Sequence, residues 1–140
     1  MQVFVPYPAP IDVARCLDKK RLTSQIRECH LIISTIKGES DGWMNHPIVA
    51  MYEDNLEWLE AYTQCLESYS KGNFMAEYYS TLAEAISPDW LTDEFCDQHK
   101  RRLYTKDPIK YAAFSKYGES EENWYVIRGK IVKYADGKKL

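Results

Sequence analysis

Residues 17–38 read LDKKRLTSQIRECHLIISTIKG and predict the longest helix of the chain. Asp18 stands where an N-cap is expected, and Gly38 follows the last turn as a stop signal. Between them, apolar residues recur at helical spacing and predict the face that packs into the core: Leu22, Ile26, Cys29, Ile33 and Ile36. An amphipathic helix of this length favours a helical fold in which neighbouring helices cover the apolar face.

The segments on either side extend this prediction to a single all-α domain over residues 1–140, a compact helical protein. Before the helix, residues 2–6 form an extended arm, because closely spaced prolines exclude a long strand there, and residues 11–17 fit a short helical turn. After it, caps and breakers predict a loop over 38–46 and further helices that begin near Pro47 and near residues 54, 73, 92 and 109. Residues 124–134 alternate weakly and fit either a strand or an ordered tail, and residues 135–140 are expected to fray.

Composition limits the class of protein. The chain has 140 residues, 45% of them hydrophobic, which suffices for a core. It shows neither a signal peptide nor an apolar run of membrane-spanning length, so we expect a cytoplasmic protein with no membrane partner. Its four cysteines have no C-x-x-C spacing, and no histidines pair at metal-binding intervals, so we expect neither a metal nor a cofactor.

Charge is unevenly distributed along the sequence. Residues 1–37 carry a net charge of +3 and residues 98–140 a net charge of +6, whereas residues 38–97 carry −12. If the two basic ends meet in the fold, they form a local positive site suited to an anionic ligand. If they do not meet, each charge only solvates its own helix.

Three residues of the long helix form the first candidate site. Arg21, Gln25 and Glu28 are spaced at i, i+4 and i+7, so they share one face beside the apolar stripe. Glu28 is therefore expected to be half-buried, with a raised pKa that suits a general acid or base. The same spacing also fits an ordinary surface ion pair.

The segment G-W-M-N-H-P at residues 42–47 is the second candidate. His46 precedes a helix that begins with proline, and a helix N-terminus with His46 and Asn45 beside it suits a phosphate or the edge of a base. The alternative is local, with Asn45 as a cap and Trp43 as a hydrophobic plug.

Two basic patterns follow in the C-terminal part. His99, Arg102 and Lys106 fall on one stripe of a helix, where they either bind an anion or merely oppose the helix dipole. Trp124 and Tyr125 precede several cations, a pattern that suits base stacking and phosphate contact but also fits a packed tail.

Four motifs together resemble bacterial proteins grouped with the pyrimidine-dimer DNA glycosylase/endonuclease V family. They are M-Q-x-F-x-P-Y-P at residues 1–8, L-D-K-K-R-L-x-x-Q-x-x-E at 17–28, G-W-x-N-H-P at 42–47 and H-x-x-x-L-x-x-K-D-P-x-x-Y-x-x-F at 99–114. The resemblance extends from residue 1 to about residue 117.

This resemblance implies an all-helical protein that cleaves the glycosidic bond of a damaged pyrimidine. In the phage enzyme that gives the family its name, the N-terminal amine attacks the sugar C1′ and forms a Schiff base, and a helix glutamate that follows an arginine assists cleavage and β-elimination. The pair Arg27-Glu28 matches that arginine and glutamate, so Glu28 is the implied catalytic residue. The Met1 amine is the implied nucleophile, and Trp124-Tyr125 corresponds to the Trp-Tyr-rich C-terminal segment.

The chain departs from the phage enzyme in two respects. The large side chain of Gln2 is unsuited to removal of Met1, and the acidic pI of about 5.6 is unusual for a protein that binds duplex DNA. The resemblance and these departures leave three hypotheses. The first is a DNA glycosylase and abasic-site (AP) lyase that acts on damaged pyrimidines in DNA. The second is a non-catalytic protein that sequesters a small nucleotide in the same pocket, and the third is a protein-interaction domain that uses the acidic middle helices. Under the first two, the residues expected to bind the ligand are Arg21, Gln25, Arg27, Asn45, His46, His99, Arg102, Lys106, Trp124 and Tyr125.

Overall fold

The computed structural model describes residues 2–140. Within this range the helices are α1 (Pro10–Cys16), α2 (Lys19–Ile36), α3 (Pro47–Glu53), α4 (Leu56–Ser70), α5 (Met75–Ala85), α6 (Asp93–Lys106) and a 3-10 helix (Ala112–Tyr117). Strands β1 (Asn123–Ile127), β2 (Lys130–Ala135) and β3 (Lys138–Lys139) complete the chain. None of the described helices is both long and apolar enough to cross a membrane.

The all-α prediction is wrong at the C-terminal end, where β1, β2 and β3 form an antiparallel sheet in that order. The turn residues Arg128 and Gly129 both have positive φ, as a tight hairpin requires. Residues 135–140, which were expected to fray, include β3, whose Lys138 pairs with Ala135. The alternation is weak because Trp124, Tyr125 and Val126 are all buried, so β1 has no solvent-facing row.

The predicted helix starts are confirmed where a side chain caps the helix. Asp18 accepts a hydrogen bond from the Arg21 amide at 3.3 Å, and Thr92 accepts one from the Phe95 amide at 3.3 Å. The N-cap of α3 is His46 rather than Asn45, because the His46 Nδ1 accepts from the Ile48 amide at 3.0 Å. These bonds satisfy amides that lack a partner within the helix.

The buried face of α2 differs from the predicted stripe. Its buried residues are Leu22, Gln25, Cys29, Ile32 and Thr35. Ile26, Ile33 and Ile36 are only partly buried and pack at the edge of the core. The face is rotated because the N-terminal arm lies on α2, where Val3 and Val5 are buried and Gln25 pairs with the arm backbone.

Aromatic rings fill the centre of the core. Tyr52 stacks on Trp58 and Trp58 on Tyr62, while Trp90 packs between Tyr52 and Phe95. The two tyrosines of this cluster, Tyr52 and Tyr62, are therefore core residues. Helix α4 supplies its central pair, Trp58 and Tyr62.

His99 is a fully buried histidine between this core and the arm. Its Nδ1 accepts a hydrogen bond from the Val5 amide at 2.6 Å, and its ring packs on Phe95 with centroids 4.6 Å apart. Burial, helped by the positive charge of Arg102, lowers its pKa from 6.5 to about 3. The ring is therefore neutral in the folded protein.

We expect the free energy of unfolding to fall when the pH is lowered from 7 to 5. Below pH 6.5 the unfolded chain binds a proton at His99 and the folded chain does not. The free energy of unfolding therefore falls by about 1.4 kcal/mol for each pH unit below 6.5. Urea unfolding followed by circular dichroism at the two pH values measures the loss. His30→Gln, at an exposed position, should keep this pH dependence, whereas His99→Gln should reduce it, and an unchanged dependence in His99→Gln would contradict the assignment.

Candidate functional site

The N-terminal arm, α2, α6 and the start of β1 enclose a pocket of about 130 Å³. The arm contributes Gln2 and Phe4, and the three remaining elements contribute the other lining residues: Arg21, Ser24, Gln25, Glu28, Arg102, Lys106 and Asn123. No lining residue belongs to the acidic segment 38–97. The two basic ends of the chain therefore meet here, as the charge distribution allowed.

Arg21 brings positive charge from α2. Its guanidinium lies over the Phe4 ring, 5.7 Å from the centroid, and its Nε is 3.8 Å from a carboxylate oxygen of Asp18. The Nε is buried and has no hydrogen-bond partner in the described part of the chain. Arg21 thus contributes positive charge at the pocket wall, while its buried Nε is turned toward Asp18.

Gln25 fastens the N-terminal arm to α2. Its Oε1 accepts from the Phe4 amide at 2.8 Å and its Nε2 donates to the Gln2 carbonyl at 3.4 Å, while the Tyr62 hydroxyl donates to the Phe4 carbonyl at 2.5 Å. Gln25 is only 2% exposed. Its main role in the structure is to hold Gln2 and Phe4 at the pocket.

His99 lies behind the pocket rather than in its lining. Its Nε2 is 3.2 Å from the side-chain amide of Gln2, and its Nδ1 is used by Val5. The structure therefore places His99 under the arm, where it supports Gln2, and it reaches a ligand only through that residue.

Arg102 is held by its own chain. Its Nε donates to Asn123 Oδ1 at 2.9 Å and its guanidinium also donates to the Ser120 carbonyl at 2.9 Å. Because it is only 8% exposed, Arg102 joins α6 to the segment before β1 and contributes a fixed positive charge to the pocket.

Lys106 lies one turn further along α6, at the rim of the pocket. The side chain as a whole is exposed, yet partial burial of its amine, with the neighbouring charges of Arg102 and Arg21, lowers its pKa. The carboxylates of Glu121 and Glu28 act in the opposite direction and do not cancel the shift.

Glu28 supplies the acidic group that lines the pocket. It is half-buried, as the spacing on α2 predicted, and burial raises its pKa even though Arg27, Arg21 and Lys106 favour its charged form. A carboxyl group of this kind exchanges a proton more readily near neutral pH than an ordinary surface glutamate.

His46 lines a second cavity of about 220 Å³, which adjoins the first because both include Asn123. The His46 ring lies edge-on to Trp43 on one side and to Tyr125 on the other. Trp43 is 45% exposed and has a positive φ of 62°, an uncommon conformation for a bulky residue.

The other residues predicted to bind the ligand lie outside the main pocket. Arg27 is exposed on α2, and Asn45 lines a surface depression beside His46. Trp124 and Tyr125 are both buried in β1, where Lys133 lies over the Trp124 ring. The Met1 amine lies outside the described residues.

Sequence reasoning missed four lining residues. Gln2 and Phe4 were available from the motif M-Q-x-F, and Ser24 shares a helix face with Arg21. Asn123 carried no signal, because its place in the pocket depends on the strand that begins there.

The fold and the pocket define a small, mostly helical protein with a cationic pocket that contains one partly buried carboxyl group. A protein-family model described as Pyrimidine dimer DNA glycosylase matches residues 1–68, which include the arm, Arg21 and Glu28. This match supports that family for the chain. Neither the curated proteins nor the solved structures contain a match. Within residues 2–140 no cluster of three or more His, Cys, Asp or Glu side chains is arranged to hold a metal ion.

We expect Gln25→Leu to lower the free energy of unfolding by about 2–4 kcal/mol, because it leaves the Phe4 amide and the Gln2 carbonyl buried without a partner. Urea unfolding gives the value. Gln64→Leu makes the same chemical change at an exposed position of α4 and should stay within about 0.5 kcal/mol of the original protein. Equal stabilities of the two variants would show that Gln25 does not fasten the arm.

Proposed function

We propose that the protein is a DNA repair glycosylase with AP lyase activity, acting on damaged pyrimidines through a Schiff-base intermediate. The observation that carries the proposal is the position of Glu28, a partly buried carboxyl group that shares one pocket with Arg21, Arg102 and Lys106. The match of residues 1–68 to a pyrimidine dimer DNA glycosylase model supports the same activity.

The size of the pocket favours a single unit of a polymer as the ligand. Sites for small molecules of drug size usually measure roughly 300–1,000 Å³, whereas this pocket measures about 130 Å³. A pocket of this size suits one sugar or one phosphate group and leaves the rest of the nucleic acid outside.

The pocket residues suit the two chemical steps. In its protonated form Glu28 provides a proton to the leaving base, and as a carboxylate it then accepts the C2′ proton during β-elimination, a pair of roles that a raised pKa favours. Arg21 and Lys106 are placed to bind phosphate oxygens, which position the sugar.

The proposed reaction also requires an amine that attacks C1′. On sequence grounds it belongs to Met1, and a free α-amine, with a reference pKa of about 8, is partly neutral at pH 7. Gln2, the next residue along the chain, lines the pocket. Its position supports the assignment of the attacking amine to the N-terminus.

Residues around the pocket would contact the flanking DNA. Arg27 is exposed beside Glu28 and suits a phosphate contact. The adjoining cavity at His46 and Tyr125 suits a flanking base, with Trp43 as an exposed ring on which it can stack. Asn45 and Trp124 remain predicted DNA contacts.

We expect Glu28→Gln to lower the rate of strand cleavage at an abasic site by about 10²-fold or more, because the amide cannot accept the C2′ proton. Affinity for the same duplex should be kept or increased, since the pocket loses a negative charge. Single-turnover cleavage and fluorescence anisotropy measure the two quantities. Glu57→Gln, an equal charge change at an exposed position of α4, is the control, and cleavage by Glu28→Gln at the control rate would remove Glu28 from the mechanism.

Salt dependence separates duplex binding from nucleotide binding. If the cationic pocket grips phosphates, the logarithm of affinity for a lesion-bearing duplex should fall with the logarithm of salt concentration, with a slope of about −0.9 for each phosphate contacted. Arg21→Gln should reduce that slope by about 1, while Arg15→Gln, exposed on α1 and paired with Asp12 and Glu77, should not. Titrations at several salt concentrations give the slopes. Salt-insensitive binding of a mononucleotide, with no duplex binding, would instead favour the sequestering protein.

A further inference from the structure

The outer face of α5 carries a row of exposed apolar side chains. Phe74 immediately precedes the helix, Tyr78 and Leu82 lie within it and Ile86 follows it, so successive members are four residues apart and share one face. Between 41% and 88% of each residue is exposed to solvent. Apolar side chains grouped on a surface in this way are typical of a site that binds another molecule. We call this row the α5 stripe.

A groove of about 400 Å³ lies at the start of the α5 stripe, between α1, the turn that joins α4 to α5 and the first turn of α5. Ile11, Tyr69 and Phe74 supply its apolar walls. The Arg15 guanidinium at this groove is 3.4 Å from the Glu77 carboxylate, so the two charges compensate each other. Such a groove can receive one large apolar side chain, the kind of anchor that carries much of the affinity of a protein interface.

Negative charge lies along one side of the α5 stripe. Glu77 and Glu84 are seven residues apart, so they lie on the same flank of the helix, and both are exposed. From residue 72 to residue 98 the sequence contains aspartates and glutamates but no lysine or arginine. A partner that is complementary to this surface therefore carries lysine or arginine beside its own apolar face.

The same charges disfavour other occupants. In an antiparallel pair of copies that met through the α5 stripe, the glutamates of both copies would lie on the same side and repel each other. A nucleic-acid strand or an anionic lipid surface would also meet negative charge. No residue of α5 lines the pocket of the candidate site, so the two surfaces are separate.

We propose that the α5 stripe docks an amphipathic helix of a partner protein, with lysine or arginine along the edge of that helix that faces Glu77 and Glu84. A row with four-residue spacing forms the ridge that packs into a groove between the side chains of another helix. From Phe74 to Ile86 the stripe is about 18 Å long, which matches about three turns of the partner helix. The apolar contacts supply affinity, and the glutamates select a basic partner over an acidic one. This docking site does not depend on the proposed glycosylase activity.

Two synthetic peptides test the proposal. Each is about 15 residues long, enough to form a helix, and carries leucines at i, i+3, i+4 and i+7, with lysines at the remaining positions in one peptide and glutamates in the other. Fluorescence anisotropy of the labelled peptides measures their affinities for the unmodified protein. We expect the lysine peptide to bind at least about 10-fold more tightly than the glutamate peptide. Equal binding of the two peptides, or no binding of the lysine peptide, would overturn the proposal.

Variants show whether the lysine peptide lies on the α5 stripe. Leu82→Gln removes an apolar side chain from the middle of the stripe without a change of charge, and should weaken binding by about 10-fold or more. Leu140→Gln makes the same change at an exposed residue that follows β3 and should bind like the unmodified protein. Equal affinities of the two variants would overturn the proposal. Sedimentation velocity tests the remaining occupant, because a dimer of the unmodified chain that Leu82→Gln dissociates would assign the stripe to a second copy instead.

Discussion

The hydrogen bonds between Gln25 and the N-terminal arm are the constraint on which the candidate site depends. An arm without regular secondary structure has backbone groups that need partners once they are buried. Gln25, Tyr62 and His99 supply these partners from three different helices. Because all three partners are themselves buried, the arm has a fixed path over α2, and that path leaves Gln2 and Phe4 in the wall of the pocket.

The electrostatics of the pocket follow from the meeting of distant segments. Arg21 and Glu28 come from α2, and Arg102 and Lys106 come from α6, so the charges meet only after the fold forms. In this setting the pKa of Glu28 rises and that of Lys106 falls. Both groups thereby approach the range in which protons are exchanged near neutral pH, which is the arrangement that acid and base chemistry requires. In an isolated surface ion pair on α2, Glu28 would lack the burial that raises its pKa.

Local signals predicted much of the fold and five of the nine residues that line the pocket. The caps at Asp18 and Thr92 and the shared face of Arg21, Gln25 and Glu28 could be identified because they depend on neighbours within one helix. The sequence left residues 124–134 open between a strand and an ordered tail, because β1 is buried on both faces and so lacks clear alternation. His99 was predicted to bind the ligand because it shares a helix stripe with Arg102 and Lys106. Helical spacing cannot show that its partner is the amide of Val5, 94 positions away.

The comparison with known proteins and the geometry cover different parts of the site. The family model matches residues 1–68 and so includes Glu28 and the arm, whereas Arg102, Lys106 and Asn123 lie beyond it. Arg102 donates a hydrogen bond to Asn123, so the strand that the sequence left open as one of two alternatives fixes one cation of the pocket. Resemblance in the first half therefore identifies the carboxyl group and two of the cations that act on it, Arg27 and Arg21, while Lys106 adds a further cation from the second half. The reaction that Glu28 can support is for this reason determined by the whole chain and not by the matched segment alone.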